Sequence, residues 1–349
     1  MRLDKVDAEI LRLLVEDPRN VSALARRLGL PIETVRYRVK RLMRDRLIRV
    51  FAAPNYARLG LSALWVFIKA RQGRALEELL DSHPYVSYLS RCYGRISGYL
   101  VNLLAPRSSE DLALNYLEYL KSEGYVKRYL AVPSPATIYP LPDFSRYYDH
   151  GNGIWRYSWD PLLKYASPSR ERVVPLPKQV PLDKVDIEIV RRLQVDATMS
   201  LTELALRLGL SVGCLRYHFI HHVINRGLIT YAVEYLPYPG VPLSVLMLKL
   251  ADRAHLRNLM QAAGGLPPVI GLAPSPQFNA LILLFQSPLA DKLNLYEVLE
   301  SLIEKGVVAG YFEVVLDPKY VKKYTIPGPE YYRDGRWIPV SIGQEVKVY

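Results

Sequence analysis

The feature that most constrains this chain is that it is written twice. "LDKVDAEI" at residues 3–10 returns as "LDKVDIEI" at 182–189, and the text behind it returns as well. "SALARRLGL" (22–30) answers "TELALRLGL" (202–210), "VRYRV" (35–39) answers "LRYHF" (215–219), and "LIRV" (47–50) answers "LITY" (228–231). The offset grows from 179 to 181, as short insertions in turns would cause. A tandem duplication demands that one architecture serve both halves.

Within each copy the apolar spacing predicts three short helices. Val6, Ile10, Leu13 and Leu14 form the stripe of the first, Leu24, Ala25 and Leu28 that of the second before Gly29, and Val35, Val39 and Leu42 that of the third. "LIRVFAAPNY" and "LITYAVEYLP" then read as β-rich stretches broken by proline, suited to a small wing hairpin. Next comes a strand at 61–70, a helix at 73–82, strands at 85–93 and 97–104, a helix at 109–123 and a strand at 125–132, in the order βαββαβ. The second copy repeats this from "LSVLMLKL" (243–250) to "AGYFEVVLDP" (309–318).

The expected fold class is therefore α+β, with two winged helix-turn-helix domains (1–58 and 182–240) alternating with two ferredoxin-like modules (59–135 and 241–318). Tyr- and Pro-rich tails at 136–166 and 319–349 share Tyr-Tyr-x-x-Gly and a nearby Trp, and are expected to form hairpins packed on the body. The prolines and charges of 167–181 suggest an extended linker.

A length of 349 residues suits two to four domains. Half the residues are apolar, yet no apolar run reaches membrane-spanning length and no signal-peptide pattern opens the chain, so a cytoplasmic protein without a membrane partner is expected. Cys92 and Cys214 stand too far apart in sequence to suggest a disulfide framework. The net charge of +12 points to a polyanionic partner.

"LDKVDAEILRLLVED", "LARRLGL" and "RVKRLMRDRLI", followed by a βαββαβ module, closely resemble the Lrp/AsnC family of transcription regulators. The resemblance covers most of both halves and leaves the linker and tails unexplained. It implies double-stranded DNA as partner, and, since such regulators pair through their βαββαβ modules, an intrachain pseudo-dimer, with further homo-oligomerisation left open. No enzyme activity and no cofactor are expected.

In a helix-turn-helix the third helix enters the major groove. In the first copy Glu33, Thr34, Arg36, Tyr37, Lys40, Arg41 and Arg44 are the candidate DNA contacts, with Arg36 and Tyr37 for base edges and Lys40, Arg41 and Arg44 for phosphates. Arg38 is a candidate for an internal ion pair. The second copy offers Arg216, Tyr217 and His221. Residues 2–60 carry 14 Lys and Arg against 7 Asp and Glu, whereas residues 182–240 carry 6 of each, which concentrates electrostatic affinity in the first module.

Three rival readings stand beside this one. Cys214, His218, His221 and His222 share a helical face and form a candidate metal set, although one helix rarely encloses a tetrahedral site. A small-molecule effector is a candidate partner at the turn Tyr93, Gly94, Arg95 and Ser97. Ser97 stands where the family often places an acid, so the resemblance does not carry an amino-acid effector over. Certain haem-pathway decarboxylases resemble the same two-domain family and imply a His-containing motif at the second sandwich strand; here His83 precedes Pro84 and is expected to end a helix. A general chromatin-type DNA-binding protein is the nearest alternative within DNA binding.

Overall fold

A computed structural model describes residues 3–45, 48–164, 167–168 and 177–340. The first copy opens with α1 (Lys5–Leu14), α2 (Val21–Leu28) and α3 (Ile32–Arg44). A reciprocal capping box starts α1, the Asp4 side chain accepting from the Asp7 N–H and the Asp7 side chain from the Asp4 N–H. Gly29, at φ 63°, ends α2 in the left-handed region, which lets the chain turn into α3 within three residues. Then follow β1 (Ile48–Pro54), the short α4 (Tyr56–Leu59), β2 (Leu61–Lys69), α5 (Arg74–Ser82), β3 (Val86–Gly94), β4 (Gly98–Pro106), α6 (Glu110–Ser122) and β5 (Arg128–Ser134). The first tail carries α7 (Phe144–Tyr147), the two-residue strands β6 (Tyr148–Asp149) and β7 (Ile154–Trp155), and α8 (Pro161–Lys164).

The second copy repeats the order with α9 (Lys184–Val195), α10 (Leu201–Leu208) and α11 (Val212–Tyr217), the last continuing as a π-helical segment, His218–Ile224. Beyond it lie β8 (Ile229–Tyr235), β9 (Ser244–Leu250), α12 (Leu256–Gly264), β10 (Val269–Ser275), β11 (Ala280–Phe285), α13 (Leu289–Glu304) and β12 (Val308–Lys323). The hairpin of β13 (Tyr332–Arg333) and β14 (Arg336–Trp337) closes the described chain. The linker expected at 167–181 falls largely on residues outside those described, as do 341–349 of the second tail. β12 runs five residues past the boundary expected at 318.

Strand order β10-β11-β9-β12-β3-β4-β2-β5 makes one eight-stranded sheet from the two βαββαβ modules. β12 welds them, pairing with β9 along Val308–Val315 and with β3 near Leu316 and Lys322. Near the far end Ile138, at the start of the first tail, and Leu272 of β10 exchange two backbone hydrogen bonds of 2.8 Å, so the first copy meets the second module on that side as well. Their inner faces share one buried cluster that includes Trp65, Phe67 and Leu100 from one copy and Met247, Ile282 and Val314 from the other. The outer faces are covered by helices, which is why β4 is buried along its whole length. An alternating strand has one dry face; these have two.

The wing expectation is corrected by the strand pairing. Among the described residues neither proline-broken stretch folds into its own hairpin: β1 pairs with no strand of its own copy but antiparallel with β8, from Ile48 opposite Tyr235 to Pro54 opposite Ile229. Asn55 caps α4 immediately after β1, so the chain turns away before a return strand can form. The edge that a hairpin would have covered is covered by the duplicate. The insertion expectation is corrected. One extra residue is taken up by the end of α9, a helix of 12 residues where α1 has 10, and the other lies inside the third helix of the second copy, where the π-helical segment absorbs it.

Both tails pack on the body. The Leu3 N–H donates to the Tyr148 hydroxyl at 3.1 Å, and Phe144 and Trp155 pack with Tyr235 against the first helix-turn-helix. Trp159 is fully buried in the second sandwich, while the Trp337 indole N–H donates to the Leu59 carbonyl at 2.6 Å.

Candidate nucleic-acid interface

The inner side of α3 is fixed before its outer side is considered. Asp7, 1% exposed, would be costly to bury alone. Arg38 Nη1 meets Asp4 Oδ2 at 2.6 Å and Asp7 Oδ1 at 2.9 Å, and Arg41 Nη2 meets Asp7 Oδ2 at 2.6 Å. Two guanidinium groups thus bind α3 to the start of α1. This bears out the internal role given to Arg38 and corrects the role given to Arg41, which is turned inward to Asp7 instead of outward to a phosphate.

What remains outside is Glu33, Arg36, Tyr37, Lys40 and Arg44, all exposed, with Thr34 half-buried beside them. Arg36 pairs with Glu33 one turn back, and Arg44 reaches its neighbour Asp45 at 3.2 Å, both pairs in open solvent where they compete weakly with a phosphate. Tyr37 presents a ring that is 62% exposed. This face carries three cations within nine residues. Arg46, two residues beyond Arg44, lies outside the described residues.

In the second copy Arg216 and Tyr217 take the places of Arg36 and Tyr37, and both are exposed. The other positions have changed character. Ile220 stands where Lys40 does and Leu206 where Arg26 does, and both are exposed apolar groups. His221 is exposed and lies against the Tyr217 ring at 4.9 Å.

The candidate metal set is corrected. Cys214 is an exposed free thiol and His221 faces Tyr217, so neither joins His218. The partners of His218 are His222 and two carboxylates of the other helix, Asp183 and Asp186. The third helix by itself could not reveal this, since Asp183 and Asp186 stand at the start of α9 and only the fold brings them beside His218 and His222. With the copies aligned without a gap His221 falls on Arg41; the residue absorbed by the π segment is what brings His222 into the place of Arg41, as His218 takes that of Arg38.

Tyr93, Gly94, Arg95 and Ser97 lie at the exposed hairpin between β3 and β4, where the Tyr93 hydroxyl reaches Asp317 Oδ2 at 3.5 Å and Arg95 borders a shallow depression with Lys69 and Arg128. A more enclosed cavity of about 90 Å³ lies between the β1–β8 pair and the sandwich, lined in part by Arg49, Tyr56, Trp65, Asn102, Tyr139 and Glu234. His83 lies apart from it. Its ring stacks on Tyr116 at 4.4 Å, and its Nδ1 accepts from the Tyr85 N–H at 3.2 Å; burial pulls its pKa down to about 4. It ends α5, as the sequence suggests.

The AsnC-type helix-turn-helix domain family matches residues 3–43 and 182–213. An uncharacterised HTH-type transcriptional regulator of Pyrococcus abyssi is 52% identical over 54 residues, 15% of this chain and 34% of that protein. Another, of Pyrococcus horikoshii, is 44% identical over 61 residues, 17% of this chain and 41% of that protein. The chain thus spans well under half the length of these curated relatives. The crystal structure of the siroheme decarboxylase NirDL superimposes with a TM-score of 0.58 at 14% identity, covering 93% of this chain and 94% of that one. That likeness establishes a shared tandem fold.

Proposed function

We propose that this chain, whose halves each open with an AsnC-type helix-turn-helix domain, is a sequence-specific regulator of transcription that reads double-stranded DNA as an intrachain pseudo-dimer. The observation that carries the reading is the division of labour on α3. Arg38 and Arg41 are consumed by Asp7, while Arg36, Tyr37, Lys40 and Arg44 stand free of the protein interior on the face that enters a groove. Base edges fall to Arg36 and Tyr37, phosphates to Lys40 and Arg44. Arg216, Tyr217 and His221 are the second copy's contacts. Modules 1–58 and 182–240, joined through β1 and β8, do the reading, and modules 59–135 and 241–318 carry them; the Tyr93–Ser97 turn is the place for a small-molecule effector.

The fold shared with the siroheme decarboxylase raises an enzyme as the second reading. The cavity beneath the β1–β8 pair, at about 90 Å³, and the open depression beside Arg95, at about 280 Å³, both lie below the roughly 300–1,000 Å³ of ordinary ligand pockets, let alone a macrocycle. His83 is stacked away from both, against Tyr116. Cavity size and the placement of His83 favour the regulator.

Selection of bound duplexes from a random pool tests the proposal. The expected result is enrichment of one non-palindromic sequence, since the two third helices differ. Uniform retention of the pool would identify a DNA-coating protein, and no retention would remove DNA as the partner.

A further inference from the structure

Asp183 and Asp186 make the same capping box at the start of α9 that Asp4 and Asp7 make at the start of α1. That box uses one oxygen of each carboxylate. Asp183 Oδ1 accepts from the Val185 and Asp186 N–H groups, and Asp186 Oδ2 from the Asp183 N–H. The other oxygens, Asp183 Oδ2 and Asp186 Oδ1, face the third helix. In the first copy the corresponding pair, Asp4 Oδ2 and Asp7 Oδ1, both grip the Arg38 guanidinium, a permanent cation. In the second copy no guanidinium is there. His218 Nδ1 lies 3.0 Å from Asp186 Oδ1 and 3.4 Å from Asp183 Oδ2, and His222 Nδ1 lies 3.0 Å and 3.8 Å from the same two atoms.

We propose that Asp183, Asp186, His218 and His222 bind one transition-metal ion of the zinc class, which clamps the third helix of the second copy to α9. Four ligand atoms, one from each side chain, lie within 4.8 Å of one another. A tetrahedral ion with bonds of about 2.0–2.2 Å needs its ligands about 3.3–3.6 Å apart; the four imidazole–carboxylate separations, 3.0–3.8 Å, lie within a few tenths of an ångström of that range, and the widest separation, up to 4.8 Å, closes as the side chains turn onto the ion. Two imidazole nitrogens with two carboxylate oxygens favour zinc, cobalt or nickel over magnesium or calcium, which prefer all-oxygen sites. The ligands come from two elements, and the capping box orients both carboxylates from behind. Asp186, 1% exposed, supplies the reason for a cation: a buried carboxylate needs one, and the first copy provides it as arginine. The π turn completes the fit, placing two histidines four residues apart on the face where arginines three apart stand in the first copy. The site is independent of whether the helix touches DNA.

The test uses the full chain, stripped with chelator and titrated with Co²⁺ and Zn²⁺. Wild type should take up one Co²⁺ with the intense visible absorption of tetrahedral coordination, and Zn²⁺ should bleach it and raise the Tm by several degrees. His218→Ala and His222→Ala should each weaken uptake at least tenfold. Cys214→Ser and His221→Ala should leave it unchanged. His218→Arg/His222→Arg, which rebuilds the first copy's pairing, should fold without metal and ignore Zn²⁺, separating a lost site from a lost fold. The proposal is overturned by uptake that survives His218→Ala/His222→Ala, by loss in Cys214→Ser, or by a wild type that takes up no Co²⁺ or Zn²⁺ stoichiometrically.

Discussion

Lys40 and Arg41 are adjacent, alike in charge and equally basic in the sequence, yet they meet different fates. Helical geometry places Arg41 over Asp7 and leaves Lys40 in solvent. Arg41→Ala should therefore lower stability by about 1–3 kcal/mol in urea, from the half-paired Asp7 it leaves behind, whereas Lys40→Ala should change stability by less than about 0.5 kcal/mol. The reverse order would mean that Arg41 is free and Lys40 structural. His83 gives a second residue-scale expectation. Its folded pKa, about 4, lies below its ordinary 6.5, so the unfolded chain takes up the proton first and the native state loses stability as pH falls through that window. His83→Gln should flatten the stability profile between those two values. An unchanged profile would place the acid sensitivity elsewhere. The inward turn of Arg41 was open to discovery in the sequence only through the acid pair Asp4 and Asp7, which reads equally well as helix capping.

At the scale of elements, the helices were legible because their apolar stripes and caps are local: Leu24, Ala25 and Gly29 need nothing beyond α2 itself to define it. The β1–β8 pair was not, since a strand's partner is a long-range fact and proline near the end of each stretch suggested a return turn. The π segment escaped for a different reason, its one-residue insertion leaving the hydrophobic positions Leu215, Phe219 and Val223 at ordinary helical spacing. Because β1 and β8 join the two helix-turn-helix domains, Phe51→Pro, which removes a ladder hydrogen bond opposite Ala232 in the middle of the pair, should cost about 3 kcal/mol and should loosen both domains together. Hydrogen exchange reads this directly: protection should fall in α1–α3 and in α9–α11 alike, and a loss confined to one copy would show that the pair does not couple them.

The whole molecule is a duplicated frame carrying unequal faces. One continuous sheet, one shared core and tails that clasp the modules hold the two helix-turn-helix domains as a single body. The first domain kept a cationic surface, and the second exchanged cations for Ile220, Leu206 and a histidine pair. The duplication and the charge imbalance were both plain in the sequence. What the imbalance meant for individual side chains was not, because only the fold distinguishes an arginine spent on Asp7 from one offered to a partner. Fluorescence anisotropy of the intact chain on duplex DNA across a salt series, beside Arg36→Ala/Lys40→Ala/Arg44→Ala, tests that distinction. The predicted result is tight, salt-sensitive binding by the wild type and, in the variant, weaker binding with a log–log salt slope shallower by about 2 to 3. Equal affinity and slope in the two proteins would contradict the assignment of the first third helix to DNA.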